Sequence, residues 1–484
     1  MILKRIFQRL FSTKYMVKEE MQQGEIPKST FAYKKSLAIA IPAVIEMVSI
    51  SLMDMIDTFM VGRVGAHAMA AVGLTAQPRM LVFSVFMALN IAITAIIARK
   101  KGAGEMDEAR SCLRHGLLLG TLLAIKLTVI AVVFARPLMN LAGAQPDTIG
   151  YATSYFQITS LVLIFQVLTS TICVAQRALG NTKITMAVNV TAKVVSVVLN
   201  FLLIEGRFFF PRLEVDGVAY ARSIAAIVAF SLALISILRK DSPLRIRLRD
   251  HWGFKFDMTK SIGRLTANGM LEQVSLRFGF FAYAMVVANL GTDEFAAHVI
   301  AMQLMALSFT FAEGIGAATT ALVGQNLGAK RPDLSIMYGK LGMRLAIICA
   351  IALSTLSITF RVPFATLFAP DYPHIIAMAA SLILILAFIL PLQTSQLVMA
   401  GSLRGSGDNR YVALTMLIAV GFMRPFFGAF FALQIGLEFG ERAMQVGLGL
   451  GVTGAWYAII FDQSARLIML FTRFARGKWT QAKI

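Results

Sequence analysis

Cysteine, charge and acid are all scarce in this sequence, and each shortage closes a route. Three cysteines in 484 residues, Cys112, Cys173 and Cys349, lie in or beside apolar runs and make neither a disulfide framework nor a metal-ligand spacing. Only 15% of residues are charged, against about a quarter in soluble domains, which excludes an ordinary water-facing globule. Nucleotide and hydrolase signatures are missing too: there is no P-loop, no H-E-x-x-H and no G-x-S-x-G. An enzyme and a bound metal are therefore not expected. Acids are outnumbered 26 to 46 by Lys and Arg, for a net charge of +20. In a soluble chain that excess would suggest nucleic acid, but no basic groove interleaved with aromatics is visible.

What is abundant is apolar sequence, 57% of the chain. A membrane span needs about 20 apolar residues. Runs of that kind fall at 37–61, 73–98, 113–134, 152–175, 184–204, 217–238, 262–289, 297–323, 340–360, 375–400, 411–436 and 449–472. The chain thus reads as an all-α integral membrane protein with about twelve transmembrane helices. Ahead of the first run, MILKRIFQRLF sets Ile2, Leu3, Ile6, Phe7, Leu10 and Phe11 opposite Lys4, Arg5, Gln8 and Arg9. This pattern reads as an interfacial amphipathic helix rather than a secretory signal.

Basic residues set orientation. They crowd the N-terminal segment, the second-to-third loop (Arg99, Lys100, Lys101, Arg110, Arg114), the sixth-to-seventh loop (Arg239, Lys240, Arg245, Arg247, Arg249, Lys255, Lys260, Arg264) and the C-terminus. The alternate loops hold few. An even number of spans with both termini cytoplasmic in the inner membrane follows. The expected divisions are a cytoplasmic segment 1–36, an N-lobe 37–238, a basic linker 239–261 suited to the anionic inner leaflet, a C-lobe 262–472 and a basic tail 473–484.

The halves repeat. A shift of 226 lays Glu46-Met-Val-Ser49 on Glu272-Gln-Val-Ser275, Gly65 on Gly291, Gln77 on Gln303 and Gly102-Ala103 on Gly328-Ala329. At 227, Arg177 and Gly180 fall on Arg404 and Gly407. Two six-helix lobes of like orientation imply a pseudo-two-fold along the membrane normal, with binding at the repeat interface near the midplane. The glycine strings Arg177–Gly180 and Leu403–Gly407 sit at helix junctions, where turn chemistry explains them better than phosphate binding.

Ionisable residues inside the spans carry the functional signal, because a charge at mid-bilayer costs roughly 2.5–3.5 kcal/mol. The first span holds Glu46, Asp54 and Asp57. At ~100° per residue Asp57 falls about 20° from Glu46 and Asp54 about 80° away, so the three share one side of the helix. Potential partners are Lys126, Lys193 and Arg222 in the first half. The second half sets Glu272, Glu313 and Asp462 against Arg277, Arg424 and Arg466. Asp462 and Arg466, four apart, read as a structural pair. A carboxyl that is wet when facing one side and dry when facing the other can load and release a proton, and the same carboxyl beside an amide oxygen could hold Na⁺. The 26 Met and 35 Phe suit either an adaptable cavity lining or plain helix packing.

With Pro42-Ala-Val-Ile-Glu46, Asp57-Thr-Phe-Met-Val-Gly62, Ala70-Ala-Val-Gly73, Leu322-Val-Gly-Gln-Asn-Leu-Gly-Ala329, Leu403-Arg-Gly-Ser-Gly-Asp408 and Gly451-Val-Thr-Gly-Ala-Trp456 in order, residues 37–472 resemble the multidrug and toxic compound extrusion (MATE) family. The resemblance implies H⁺- or Na⁺-coupled export of small, mostly cationic, amphipathic organic compounds by rocking between two states, by a monomer without cofactors or nucleic acid. It places the coupling ion at Asp57 and Glu272; the reading of the in-membrane charges adds Glu46 as a third candidate. Asn200 resembles the asparagine that accompanies the N-lobe acid. Asp54, Arg222 and Tyr283, the repeat counterpart of Asp57, are candidate neighbours of the ion site. Arg277, Glu313 and Gln393 are candidates to line a C-lobe cavity. The chain departs from the family pattern at Ile204 (followed by Glu205), at Arg222 and at Gln393, where some members carry an acid, a Thr and an acid. An arginine near Asp57 competes with Na⁺, which favours H⁺ of the two ions. A flippase for lipid or glycolipid on a related architecture is the alternative, and it requires a strongly basic cavity. A non-transporting scaffold is a third reading, but it gives no reason to bear buried charges.

Overall fold

A computed structural model describes residues 12–146, 148–204, 206, 208, 210–247, 250, 253, 255–439 and 442–482. The proposed amphipathic helix over residues 1–11 lies outside them, as does Glu205. The long apolar runs fold as helices, since a bilayer offers no water to unpaired backbone groups. They are α1 (Ser29–Gly62), α2 (Ala66–Gly102), α3 (Met106–Val133), α4 (Ala135–Leu141), α5 (Ile149–Leu161), α6 (Leu163–Ala178), α7 (Thr182–Leu203), α8 (Glu214–Leu238), α9 (Phe256–Ala288), α10 (Thr292–Gly328), α11 (Pro332–Phe368), α12 (Pro373–Ser406), α13 (Asn409–Met416), α14 (Arg424–Ala432) and α15 (Gly451–Ala475). A π-helical stretch, Leu417–Met423, joins α13 to α14 into one span.

Ten of these spans are long and apolar enough alone to cross a membrane, and α5 with α6, bent by 48° about Val162, make an eleventh. Among the described residues these make ten or eleven spans; α15 stands where the last apolar run was expected and carries Asp462 and Arg466. The helices overrun their apolar cores at both ends: α1 begins at Ser29 rather than near residue 37. One departure from all-α is a hairpin before α15, with β1 (Ile435–Phe439) pairing antiparallel to β2 (Arg442–Val446).

The described residues divide into two compact units. One contains Ile41–Ala267 with Gly328–Lys330; the other contains the chain up to Ala40, Asn268–Leu327 and everything from Arg331 onward. In the first unit Val61, Ala68, Ala71, Tyr155, Phe156 and Val218 are buried together. In the second, Tyr283, Ala301, Leu386, Trp456 and Ile459 form the corresponding core. Small residues allow close helix approach. On α12, a Cβ at Gly405 would fall on the Thr320 carbonyl of α10, and Thr320 Oγ1 donates to the Gly401 carbonyl at 2.9 Å. Both glycine strings end helices. Gly180 and Gly407 are left-handed (φ 83° and 89°), and their N–H groups cap the carbonyls of Arg177 and Arg404 at 2.8 and 3.0 Å.

In the second unit the segment ahead of α1 is pinned to the start of α11. Asp333, wholly buried, accepts from Arg331 Nε at 2.9 Å, from Arg331 Nη2 at 2.8 Å and from the Gln23 N–H at 3.2 Å. Lys340 Nζ donates to the Met16 carbonyl at 2.7 Å. Burial alone would push the Asp333 carboxyl up, but the Arg331 and backbone N–H donors outweigh it and hold it below the ordinary value. A depressed folded value means its stabilisation is complete above the unfolded value of 3.8 and is lost as pH falls through the lower folded value. Asp333→Asn is accordingly expected to cost about 1.5–3 kcal/mol at neutral pH, measured as a lower thermal midpoint together with faster proteolysis between Thr13 and Ser29.

Candidate functional site

The acidic side of α1 is built as the helical angles require. Glu46 and Asp57 are wholly buried, while Asp54 stands half exposed. Their environments differ sharply. Glu46 is saturated: Thr185 Oγ1 and Asn189 Nδ2, both on α7, donate to its two oxygens at 2.6 Å each, and Arg177 Nη2 on α6 lies 3.8 Å away. Asp54 pairs with Lys193 of α7.

Asp57 has one partner on one oxygen. Asn200 Nδ2 donates to Oδ1 at 2.7 Å. Asp57 Oδ2 has no hydrogen-bond partner, and neither does the Asn200 side-chain carbonyl Oδ1. Lys193 Nζ and Arg222 Nη2 each lie 4.0 Å from Oδ2, close enough for attraction but too far to donate. So Asn200, Asp54 and Arg222 do gather around Asp57. Tyr283 lies in the other unit, with its ring against Arg424 and His298. Of these two buried, unsatisfied oxygens, Asp57 Oδ2 is a carboxylate oxygen that can take a proton, and the Asn200 carbonyl is a hydrogen-bond acceptor only.

A cavity of about 570 Å³ opens in the same unit, and its charged lining is Arg79, Arg177, Lys193 and Arg222 against Asp54. Gln166, Ser170 and Asn189 add hydrogen-bonding groups, and Phe83 and Ala225 add apolar surface. Arg79 donates to the Tyr155 hydroxyl at 3.4 Å and has no carboxylate partner among the described residues.

Glu272 repeats the Glu46 arrangement. It is wholly buried on α9 and paired with Arg404 of α12 through Nη2 and, at 3.4 Å, Nε. Arg404 is the residue that the 227-residue shift lays on Arg177, so each half holds one Glu–Arg pair between its first helix and a glycine-string arginine. Arg277 and Glu313 are each half buried. Lys126 is exposed. Gln393 is wholly buried on α12 with both amide atoms unpaired, and Gln396, one turn on, is in the same state. A second charged cluster is Asp462, set between Arg424, on Nε, and Arg466, whose Nε and Nη2 lie 3.1 and 2.6 Å away. All three are buried. The Arg424 guanidinium also covers the rings of Phe280 and Tyr283 at 4.7 and 5.7 Å. Thr185, Asn189, Arg79 and Gln396 carried no distinguishing sequence signal. Arg177 and Arg404 did, in the repeat, but were read only as turn residues. No cluster of metal-ligating side chains occurs among the described residues.

The sequence matches the family profile described as MatE over residues 42–202 and 270–429. The chain belongs to the MATE family, a family of membrane transporters. It is 27% identical over 458 residues to the multidrug resistance protein PmpM of Pseudomonas aeruginosa, covering 92% of this chain and 91% of that one. It is 27% identical to the multidrug resistance protein NorM of Vibrio cholerae (91% and 95% covered). Among solved structures it shares the fold of a multidrug resistance MATE family transporter of the MOP superfamily in an outward-facing conformation, at TM-score 0.83 and 21% identity over 92% of this chain and 97% of that one.

Proposed function

We propose that this protein exports small organic compounds across the inner membrane, with both termini cytoplasmic, by alternating access in exchange for a coupling cation. Asp57 is the residue whose charge changes during the cycle. The observation that carries this reading is the contrast among the buried carboxyls: Glu46 and Glu272 are bound by donors on both oxygens or by a guanidinium, whereas Asp57 keeps one oxygen free beside the free Asn200 carbonyl. We assign Glu46 and Glu272 to holding their helices and Asp57 to H⁺, ahead of Na⁺. The names of the relatives support drugs or related metabolites as substrates.

One observation favours a second reading of the substrate. Four cations against one acid line the cavity, the charge that an anionic substrate, including a lipid headgroup, requires. Which of a cationic and an anionic dye the protein binds separates the two, and the sign of proton linkage then tests Asp57. Protonating Asp57 takes the countercharge from Lys193 and Arg222, so an anion binds more tightly as pH falls and a cation less tightly. Equilibrium binding of a cationic and an anionic dye to the purified protein across the titration of Asp57 should move in opposite directions. A cationic dye that binds about tenfold more weakly at the acidic end, one decade per 1.4 kcal/mol, supports the leading reading. Parallel responses of both dyes count against Asp57 as the linked group.

A further inference from the structure

We propose that the basic pocket where the start of α3 meets the linker after α8 is a binding site for a phosphate group. The proposal does not rest on the transport reading. The pocket encloses about 520 Å³, and Arg110, Arg114, Lys240, Arg245 and Arg247 line it. Two acids, Asp107 and Asp250, complete its charged lining, which leaves an excess of three positive charges. Like charges gathered around one hollow repel unless an anion joins them.

The linker is folded so that it presents this charge. In Leu244-Arg-Ile-Arg247 the apolar residues alternate with the basic ones. Leu244 is wholly buried and Ile246 is 5% exposed, while Arg245 and Arg247 face the hollow. The Ile246 N–H bonds the Ile237 carbonyl at 3.2 Å and Arg110 Nε donates to the Pro243 carbonyl at 3.0 Å, fixing the strip against α8 and α3. Asp250 closes the far end: it accepts from the Arg247 N–H at 3.0 Å and pairs with Arg114 Nη1 at 3.1 Å. The Arg247 N–H and, behind it, Arg114 hold the Asp250 carboxyl below its ordinary value, so it remains an anion and a structural tie.

Two polar groups of the lining are left over. Arg114 Nε and Ser242 Oγ are buried and have no hydrogen-bond partner. Buried polar groups are normally satisfied. Lys240 and Arg245 have no ion-pair partner among the described residues. A tetrahedral phosphate answers both deficits, because it brings negative charge and acceptor oxygens pointing in several directions. The volume exceeds that of a bare phosphate and leaves room for the glycerol or sugar that carries one. Because the pocket belongs to the basic loops, an inner-leaflet phospholipid headgroup and a soluble phosphate both reach it.

The test uses the full-length protein in nanodiscs of pure phosphatidylcholine and of phosphatidylcholine with phosphatidylglycerol. Inorganic phosphate is titrated into the first, and thermal midpoint and affinity are read. Stabilisation by phosphate in the neutral disc assigns the site to a soluble phosphate; stabilisation only in the phosphatidylglycerol disc assigns it to a headgroup. In either arm R245Q with R247Q should weaken the effect by about tenfold, while R245K with R247K restores most of it. Removing the same charge from the tail, R476Q with K478Q, should change nothing. No stabilisation in either disc, or an equal response of the R245Q/R247Q protein and the wild type, overturns the proposal.

Discussion

Asp57→Asn is expected to abolish gradient-driven transport while the folded protein stays in the membrane. The substitution keeps the size of the side chain and still allows Asn200 to donate to its oxygen, so the 2.7 Å contact survives. It removes only the ability to be an anion in one state and neutral in the other. A charge at mid-bilayer is worth roughly 2.5–3.5 kcal/mol, and a state-dependent term of that size moves a two-state balance by about 100-fold. Transport should therefore drop by about two orders of magnitude in everted vesicles, with expression and thermal stability near wild type. Glu46→Gln and Glu272→Gln should behave in the opposite way. Each removes a wholly buried anion from a partly buried guanidinium, so stability falls first and transport falls with the amount of folded protein.

The second large effect lies in the Asp462 cluster. Asp462→Asn leaves Arg424 and Arg466, both buried, without their anion. Breaking a buried pair from one side costs about 3–5 kcal/mol, whereas replacing all members by apolar residues of similar volume is often neutral or better. Loss of folded protein on Asp462→Asn is the expected outcome, with recovery in the triple variant Asp462→Leu, Arg424→Met, Arg466→Met. Yield and melting temperature measure stability, and transport by the recovered triple variant decides the role. Transport at wild-type rate marks the cluster as structural. A stable triple variant that cannot transport would place it in the transport cycle, against the present account. The π-helical stretch Leu417–Met423 ends immediately before Arg424.

Long-range order was the most legible part of the sequence. Runs of apolar residues locate the spans because the bilayer imposes length, and the repeat marks the Glu46 and Glu272 positions as equivalent before any contact is known. Partner choice was less legible. Arg277 lies near Glu272 in sequence, yet Arg404 reaches it from α12, and helix rotation decides such choices rather than spacing. The repeat held the answer in the coincidence of Arg177 with Arg404, which sequence reading assigned only to turns. Around Asp57 the structure sets Asn200 and Arg222, with Asp54 one turn away on Lys193. Lys193 was foreseen only as a possible partner, not as a residue within 4.0 Å of both acids' helix face. Repeat equivalence, which singled out Tyr283, relates positions between lobes and says nothing about proximity. The hairpin before α15 and the bend at Val162 left no periodic signal at all. The cavity's positive lining was invisible for a related reason: Arg79 sits in an apolar run, and only folding shows that it faces Tyr155 rather than lipid.

The central claim is that flux through this protein is tied to a cation gradient by Asp57. The most direct measurement is substrate efflux from proteoliposomes under an imposed pH gradient, an imposed Na⁺ gradient, or neither, for the wild type and Asp57→Asn side by side. The account predicts wild-type flux that follows the pH gradient, vanishes when an ionophore collapses it, and is absent in Asp57→Asn. Undiminished, gradient-dependent flux in Asp57→Asn, or wild-type flux indifferent to both gradients, would contradict it.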